Sequence, residues 1–229
     1  MRELVRRRTK FEPVAYLVGH REFFSLDFRV TSDVLIPRPD TETLVLELLE
    51  LSKPFDAPKI LDVGTGTGCI AITTAVNNSA ATVTAIDISP AALNIAHANA
   101  TQHNVADRVT FLEGDLFAPL DSSKPFDIIA SNPPYIAEHE WESLQPDVRQ
   151  HEPRQALVSG SDGLDVIRRV IAHAPNFLVP AGHLLLEIDT AQSDAVRNLL
   201  EAESALGNVR MINDLTGRPR VAVADKRGA

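Results

Sequence analysis

From Lys59 onward the chain alternates short apolar runs with helical stretches, and few architectures accept that rhythm. The runs "KILDV", "ATVTAID", "RVTFLEG" and "FDIIASN" are interleaved with "CIAITTAVNN" and "SPAALNIAHANATQHN", and "GLDVIRRVIAHAPNFL" comes later. "GHLLLEI", a helix over "DAVRNLLEA" and two weaker strands near Val209 and Val221 complete the pattern. Strands alternating with helices of this length specify a mostly parallel sheet covered on both faces. The runs are also continuously apolar, as doubly covered strands are. The expectation is a doubly wound α/β domain, whose ligands bind outside the carboxyl ends of the strands.

The part before Lys59 reads differently. From Phe11 to about Pro39, aromatics, glycine and the alternation in "EFFSLDFRV" predict a hairpin. A helix follows, opened by Asp40 or Thr41 as cap, with Leu44, Val45, Leu48 and Leu49 on one face. "SKPFDAP" then connects to the α/β region. The chain thus divides into residues 1–54, a linker, hairpin and helix, and residues 55–229, the principal domain.

Composition narrows the function classes. At 229 residues and 44% hydrophobic, the chain can bury a full core. No apolar run approaches a membrane span, and "MRELVRRRTKFEP" lacks the hydrophobic segment of a signal peptide. The single cysteine, Cys69, excludes an internal disulfide and fits a reducing cytoplasm. Seven scattered histidines show no ligand spacing, so no metal is expected. A formal charge of −9 argues against a surface built to hold duplex DNA, and a nucleic acid partner is not expected. The one basic cluster, Arg6, Arg7, Arg8 and Lys10, reads as a solvated helix end, with a contact to RNA or an acidic partner as the alternative.

Three motifs fall on the carboxyl rim of the expected sheet. "LDVGTGTGCIAI" sets Gly64, Thr65, Gly66, Thr67 and Gly68 between the first strand and its helix. The glycines permit a tight turn and a close ligand approach beside helix-terminal N–H groups. A P-loop would need a final Gly-Lys-Ser/Thr, and a dinucleotide fingerprint would need Gly or Ala where Cys69 stands. Asp87 ends the next strand, where a carboxylate can accept from both hydroxyls of a ribose; Ser89, before Pro90, is the better cap for the following helix. Asp115 and Leu116 end the third strand, placed to meet an adenine amino group and ring. Finally "IIASNPPYIAEHE" stops a strand at about Ser131, because proline lacks the N–H of a ladder and restricts its predecessor. Asn132, Pro133, Pro134 and Tyr135 must then form a stiff turn at the strand tip.

Glycine loop, strand-end acid and "NPPY", in this order, resemble the class I S-adenosylmethionine-dependent methyltransferases that alkylate planar nitrogens. The resemblance implies a Rossmann-like fold with a seven-stranded, mostly parallel sheet, and S-adenosyl-L-methionine as cofactor. It also explains the turn. An amide nitrogen is a poor nucleophile, because its lone pair is delocalised. Two acceptors aimed at its N–H groups, the Asn132 side-chain oxygen and the Pro133 carbonyl, would favour positive charge on nitrogen and hold it toward the sulfonium methyl. Tyr135 can stack on the flat group.

"PVAYLVGHREFFSLDFRVTSDVLIPRPDTETLV", above all "LIPRPDTE", resembles the protein-(glutamine-N5) methyltransferases of the HemK/PrmC family, which act on peptide chain release factors. "HEPRQALVSGSDGLDVIRR", "LLLEID" and "DLTGRPRV" continue the likeness to about Val223. By this resemblance the cofactor contacts fall on Gly64 to Gly68, Asp87, Asp115, Leu116 and Asn132, and the substrate contacts on Asn132 to Tyr135. Asn132, Pro133 and Tyr135 carry the catalysis. Phe23, Phe24 and Arg38 are candidates to line the site, with core packing the alternative for both phenylalanines. The family often has an aromatic where Leu116 stands, and glycine where Asp189 stands. Its members also carry an N-terminal helical domain that helps engage the release factor, of which residues 1–54 hold the end. The rival activities are adenine-N6 methylation of DNA or RNA and glutamine methylation of a ribosomal protein; a dinucleotide-binding module or a scaffold is the non-catalytic rival.

Overall fold

The computed structural model describes residues 2–228. Two short helices, α1 (Arg2–Arg8) and α2 (Val14–Val18), lead into a hairpin of β1 (His20–Phe23) and β2 (Leu26–Arg29). Then α3 (Thr41–Ser52), β3 (Lys59–Val63), α4 (Cys69–Asn77), β4 (Thr82–Asp87), α5 (Pro90–Gln102), β5 (Val109–Glu113) and β6 (Phe126–Ser131) alternate. A long crossover with α6 (Pro146–His151) and α7 (Asp165–His173) leads to β7 (Leu178–Glu187). The chain closes with α8 (Ser193–Ala202), β8 (Leu206–Asn213) and β9 (Pro219–Lys226).

The seven strands of the main sheet run in the order β5-β4-β3-β6-β7-β9-β8. Pairings from β5 to β7 are parallel; β9 lies antiparallel between β7 and β8. This is the expected mostly parallel, seven-stranded sheet. Neighbouring strand residues point to opposite faces. Ile60, Ile128 and Leu185 therefore join the core under α3 and α4, while Leu61, Ile129 and Leu184 join the core under α7 and α8. On α7, Ile167, Val170 and Ile171 follow helical spacing and form its buried face.

The N-terminal part departs from the reading in two ways. The stretch from Phe11 is not all hairpin: α2 occupies Val14–Val18 and ends at Gly19, whose φ is +82°. No side chain caps α3. Asp40 instead meets Arg220 at 3.1 Å, and the Thr41 hydroxyl turns to the strand rim. The expected Ser89 cap is present, its oxygen accepting from the Ala92 N–H at 3.2 Å.

The order of strands reverses between β3 and β6. Crevices form at such a switch, where successive connections leave in opposite directions. Both the glycine loop and the Asn-Pro-Pro-Tyr turn leave the sheet there.

Candidate active site

At the tip of β3 the Gly64 and Thr65 N–H groups donate to the Ile86 carbonyl of β4, at 2.8 and 2.9 Å. Gly64, Gly66 and Gly68 have φ of +74°, +55° and +80°, values that L side chains rarely adopt. Their surroundings separate them. A Cβ on Gly64 or Gly66 would meet nothing within 4 Å, whereas one on Gly68 would lie 2.7 Å from Ile72 Cδ1. The first two therefore shape an open cradle, and the third lets α4 pack closely. Thr65 and Thr67 are buried, and the Thr65 hydroxyl donates to Asp62 rather than lying open in that cradle.

The loop is braced from beneath by Asp62, which the sequence reading passed over. Its carboxyl is fully buried; Oδ2 accepts from the Thr65 hydroxyl at 2.6 Å and the Ala71 N–H at 3.2 Å, and Oδ1 has no partner among the described residues. Burial, only partly opposed by those bonds, pushes this carboxyl up to about 7. A second brace is Asn99 of α5, also fully buried. It accepts from the Arg29 N–H at 2.8 Å and donates to the Thr67 carbonyl at 2.9 Å, so the hairpin and the loop share one side chain.

Asp87 ends β4 beside the cradle. One carboxylate oxygen accepts from the Gly66 N–H at 2.8 Å and the other from the Ser89 N–H at 2.9 Å. Its pKa is raised by burial, against those backbone bonds. Each oxygen keeps a lone pair for a further donor. On the next strand end, Asp115 is exposed and pairs with Arg169 of α7 at 2.7 Å, while Leu116 stands at φ +51°.

The Asn-Pro-Pro-Tyr turn completes the rim. The Ser131 hydroxyl donates to the Val63 carbonyl at 2.7 Å and fixes β6 against β3. Asn132 is half-buried, and its Nδ2 donates to the Thr41 hydroxyl at 3.1 Å. Beyond the turn, Ile136 bonds to Leu157 and Ser159, and the Gln192 side chain donates to the Tyr135 carbonyl at 2.8 Å.

A cavity of about 380 Å³ opens at this switch point, lined by Gly64, Gly66, Asp87, Leu116, Asn132 and Pro133 among others. Asp115 and Pro134 also border it. Tyr135 does not. Its half-buried ring packs beside the α7–α8 core and borders an adjoining cavity of about 260 Å³ with Glu140, Asp162 and Asp189. From the N-terminal side the large cavity is walled by Asp33, Val34 and Leu35, not by the hairpin. Phe23 and Phe24 are core residues against α3 and α4, and Arg38 pairs with buried Glu152 at 2.5 Å. The aromatic alternation in "EFFSLDFRV" thus reports packing, and no local signal marked Asp33 to Leu35. Asp189, in the position where glycine was expected, has an ordinary φ of −69° and accepts from the Ala191 N–H.

The family model described as the methyltransferase small domain matches residues 38–151. A release factor glutamine methyltransferase of Rhodopirellula baltica is 42% identical over 229 residues, covering 98% of this chain and 77% of its own. This chain belongs to the release factor glutamine methyltransferase family. Another member, from Geobacter sulfurreducens, is 47% identical over 85% of this chain and 67% of its own. Among solved structures, the human Mettl16 catalytic domain superposes with a TM-score of 0.71 at 16% identity, covering 93% of this chain and 79% of that one. A methyltransferase from Pyrococcus furiosus gives 0.63 at 16%, over 98% and 99%. These structures share the class I methyltransferase fold with this chain.

Among the described residues no helix is long and apolar enough to cross a membrane, and no group of three or more His, Cys, Asp or Glu is arranged to hold a metal.

Proposed function

We propose that this chain methylates the side-chain nitrogen (N5) of the glutamine in the Gly-Gly-Gln motif of peptide chain release factors, with S-adenosyl-L-methionine as donor. One observation carries the reading: Asn132 and Pro133, at the tip of β6, wall the same cavity as Asp87 and the open glycine cradle. The family membership supports the release factor as partner over the nucleic acid and ribosomal-protein alternatives, and a cytoplasmic site of action goes with that reading.

The residues suit the cofactor. Gly64 and Gly66 leave room for a ligand against the backbone, and Asp87 keeps an open lone pair on each oxygen for ribose hydroxyls. Leu116 offers an apolar wall for the adenine. Asp115 fits less simply, because Arg169 already holds one of its oxygens, and an adenine amino group would have to share that carboxylate. When bound, S-adenosyl-L-methionine supplies an electrophilic methyl on a sulfonium.

The chain's own work is to hold and polarise the glutamine amide. The Asn132 Oδ1 and the Pro133 carbonyl accept from its two N–H groups, which favours the positive charge that grows on nitrogen. Proline fixes the direction of that carbonyl. Pro133 is buried and Pro134 half-buried, so the turn excludes water from one side of the amide. Tyr135 contributes on the face of the smaller cavity, where the residues flanking the glutamine would pass.

The test is single-turnover transfer of labelled methyl to a release factor, with a ribosomal protein and DNA as parallel acceptors. Label on the release factor glutamine alone is expected. Asn132→Ala should slow that step by roughly 10²–10³-fold, as loss of one positioned polar group does, while cofactor affinity stays within about tenfold. Label appearing on DNA or the ribosomal protein instead would overturn the reading.

A further inference from the structure

Just beyond β5 the chain is held by its backbone. The Gly114 N–H donates to the Asp87 carbonyl at 3.0 Å, and the Asp115 carbonyl accepts from the Ala118 N–H at 3.1 Å. The Asp115 side chain has one tie. Its Oδ2 accepts from the Arg169 guanidinium at 2.7 Å, and Oδ1 makes no hydrogen bond among the described residues. Arg169 lies 54 residues further along the chain, on α7. That helix turns Ile167, Val170 and Ile171 into the core. Val166 and Arg169, three residues apart and so on one helical face, border the large cavity together with Leu116. Among the described residues Arg169 is the only cation on that border. Its neighbour Arg168 pairs instead with Asp162 and Asp165.

We infer that Arg169 is a positioning residue for cofactor specificity: by holding Asp115 Oδ2 it keeps Oδ1 turned to the exocyclic amino group of the adenine. An exposed carboxylate without a partner samples several rotamers. A guanidinium presents planar, rigid donors and selects one of them. The carboxylate only accepts, so its second oxygen suits the amino group of adenine and repels the carbonyl that replaces it in hypoxanthine. Leu116 and Val166 offer that wall no polar side-chain atom, so discrimination between the two purines falls to the pair. The inference rests on the cofactor reading under the proposed function.

The experiment titrates the full chain by calorimetry with S-adenosyl-L-homocysteine and with S-inosyl-L-homocysteine, in which a carbonyl replaces the amino group. The variants are Arg169→Ala, Arg169→Lys and Arg168→Ala, with Tm measured alongside. The parent should favour the adenosyl compound about 10–100-fold, the scale of one hydrogen bond to a charged group. Arg169→Ala should cut that preference to about threefold or less. Arg169→Lys, whose ammonium pairs with the carboxylate without fixing its plane, should fall between. Arg168→Ala should keep the parent's preference. In an Asp115→Ala background Arg169→Ala should change nothing further, because Arg169 acts through that carboxylate. The side chains of Arg169 and Asp115 are 50% and 49% exposed. Such a pair adds little stability, so Tm should stay within about 3 °C throughout. A parent that binds both compounds equally, or an Arg169→Ala variant that keeps the full preference, would overturn the inference while leaving the cofactor reading intact. A parent that binds neither would remove the cofactor reading, and the inference with it.

Discussion

Asp87 and Asp62 are both carboxylates at the rim, one half-buried and one fully enclosed, and the difference decides what each can do. Asp87 borders the cavity with open lone pairs. Asp87→Ala should weaken S-adenosyl-L-methionine binding by roughly 2–4 kcal/mol, since two charge-assisted bonds are lost; Asp87→Asn should lose less, and calorimetric titration measures both. Asp62 braces the loop and pays for enclosure with a pKa raised to about 7, far above its ordinary value of 3.8. Between those values the folded state holds a proton that the unfolded state has released. Stability contributed by this group is therefore complete at low pH and is lost as pH rises toward about 7. Asp62→Asn cannot titrate, so its Tm relative to the parent should improve from pH 5 to about 7 and then level off. A constant Tm difference over that range would mean that the carboxyl titrates normally.

The hairpin shows how an element can form against its local chemistry. Its two-residue turn, Phe24-Ser25, has φ of +52° and +60°, both in the left-handed region. Asn-Gly or Asp-Gly is the usual solution there. Phe24 is retained because its ring packs on the core beside Phe23, and the backbone is held by Glu42 and Glu22, which accept from the Phe24 and Ser25 N–H groups. Ser25 is exposed and packs on nothing comparable. Ser25→Gly should therefore raise stability by about 0.5–1 kcal/mol, the cost of αL for an L residue, seen as a higher denaturant midpoint with unchanged slope. The loop facing the Asn-Pro-Pro-Tyr turn has the opposite tolerance. A Cβ on Gly163 would fall 2.1 Å from the Tyr135 carbonyl oxygen, at a φ of +76°. Gly163→Ala should displace the turn and reduce methyl transfer about 10²-fold, as an ångström-scale misplacement does, with cofactor affinity nearly unchanged because Tyr135 lies off the larger cavity. Full transfer activity would show that the turn does not depend on this contact.

Over the whole molecule, the N-terminal part is tied to the helices and loops of the α/β domain by polar contacts between residues far apart in sequence. Arg38 pairs with Glu152, whose side chain is 2% exposed and also accepts from the Ile36 N–H at 3.1 Å. Removing the guanidinium leaves a buried carboxylate unpaired. Arg38→Ala should cost about 3 kcal/mol, and amide exchange should quicken in residues 33–38, of which Asp33, Val34 and Leu35 wall the cavity. Unchanged Tm and exchange would show the pair to be incidental. Asn99 makes the second tie, across 70 residues to Arg29 and 32 to Thr67.

The fold was largely legible in the sequence, since strand and helix periods are local properties of a chain and "KILDV" or "GLDVIRR" display them in place. The glycines, Asp87 and "NPPY" were legible for the same reason: a positive φ, a strand-end acid and a proline stop each leave a mark within a few residues. Tertiary structure alone decided which side chains those marks would meet. Thr41 read as a helix cap, yet it reaches Asn132 across 91 residues. Asn99 lies inside "SPAALNIAHANATQHN" and Asp62 inside "LDVGTGTGCIAI", and no role for either of them was read from the sequence. Their roles depend on β6 lying between β3 and β7 and on α3 lying over them. Strand order, and the polar partners it brings together, are set by the packing of the whole sheet, and a local stretch of sequence carries no signal of either.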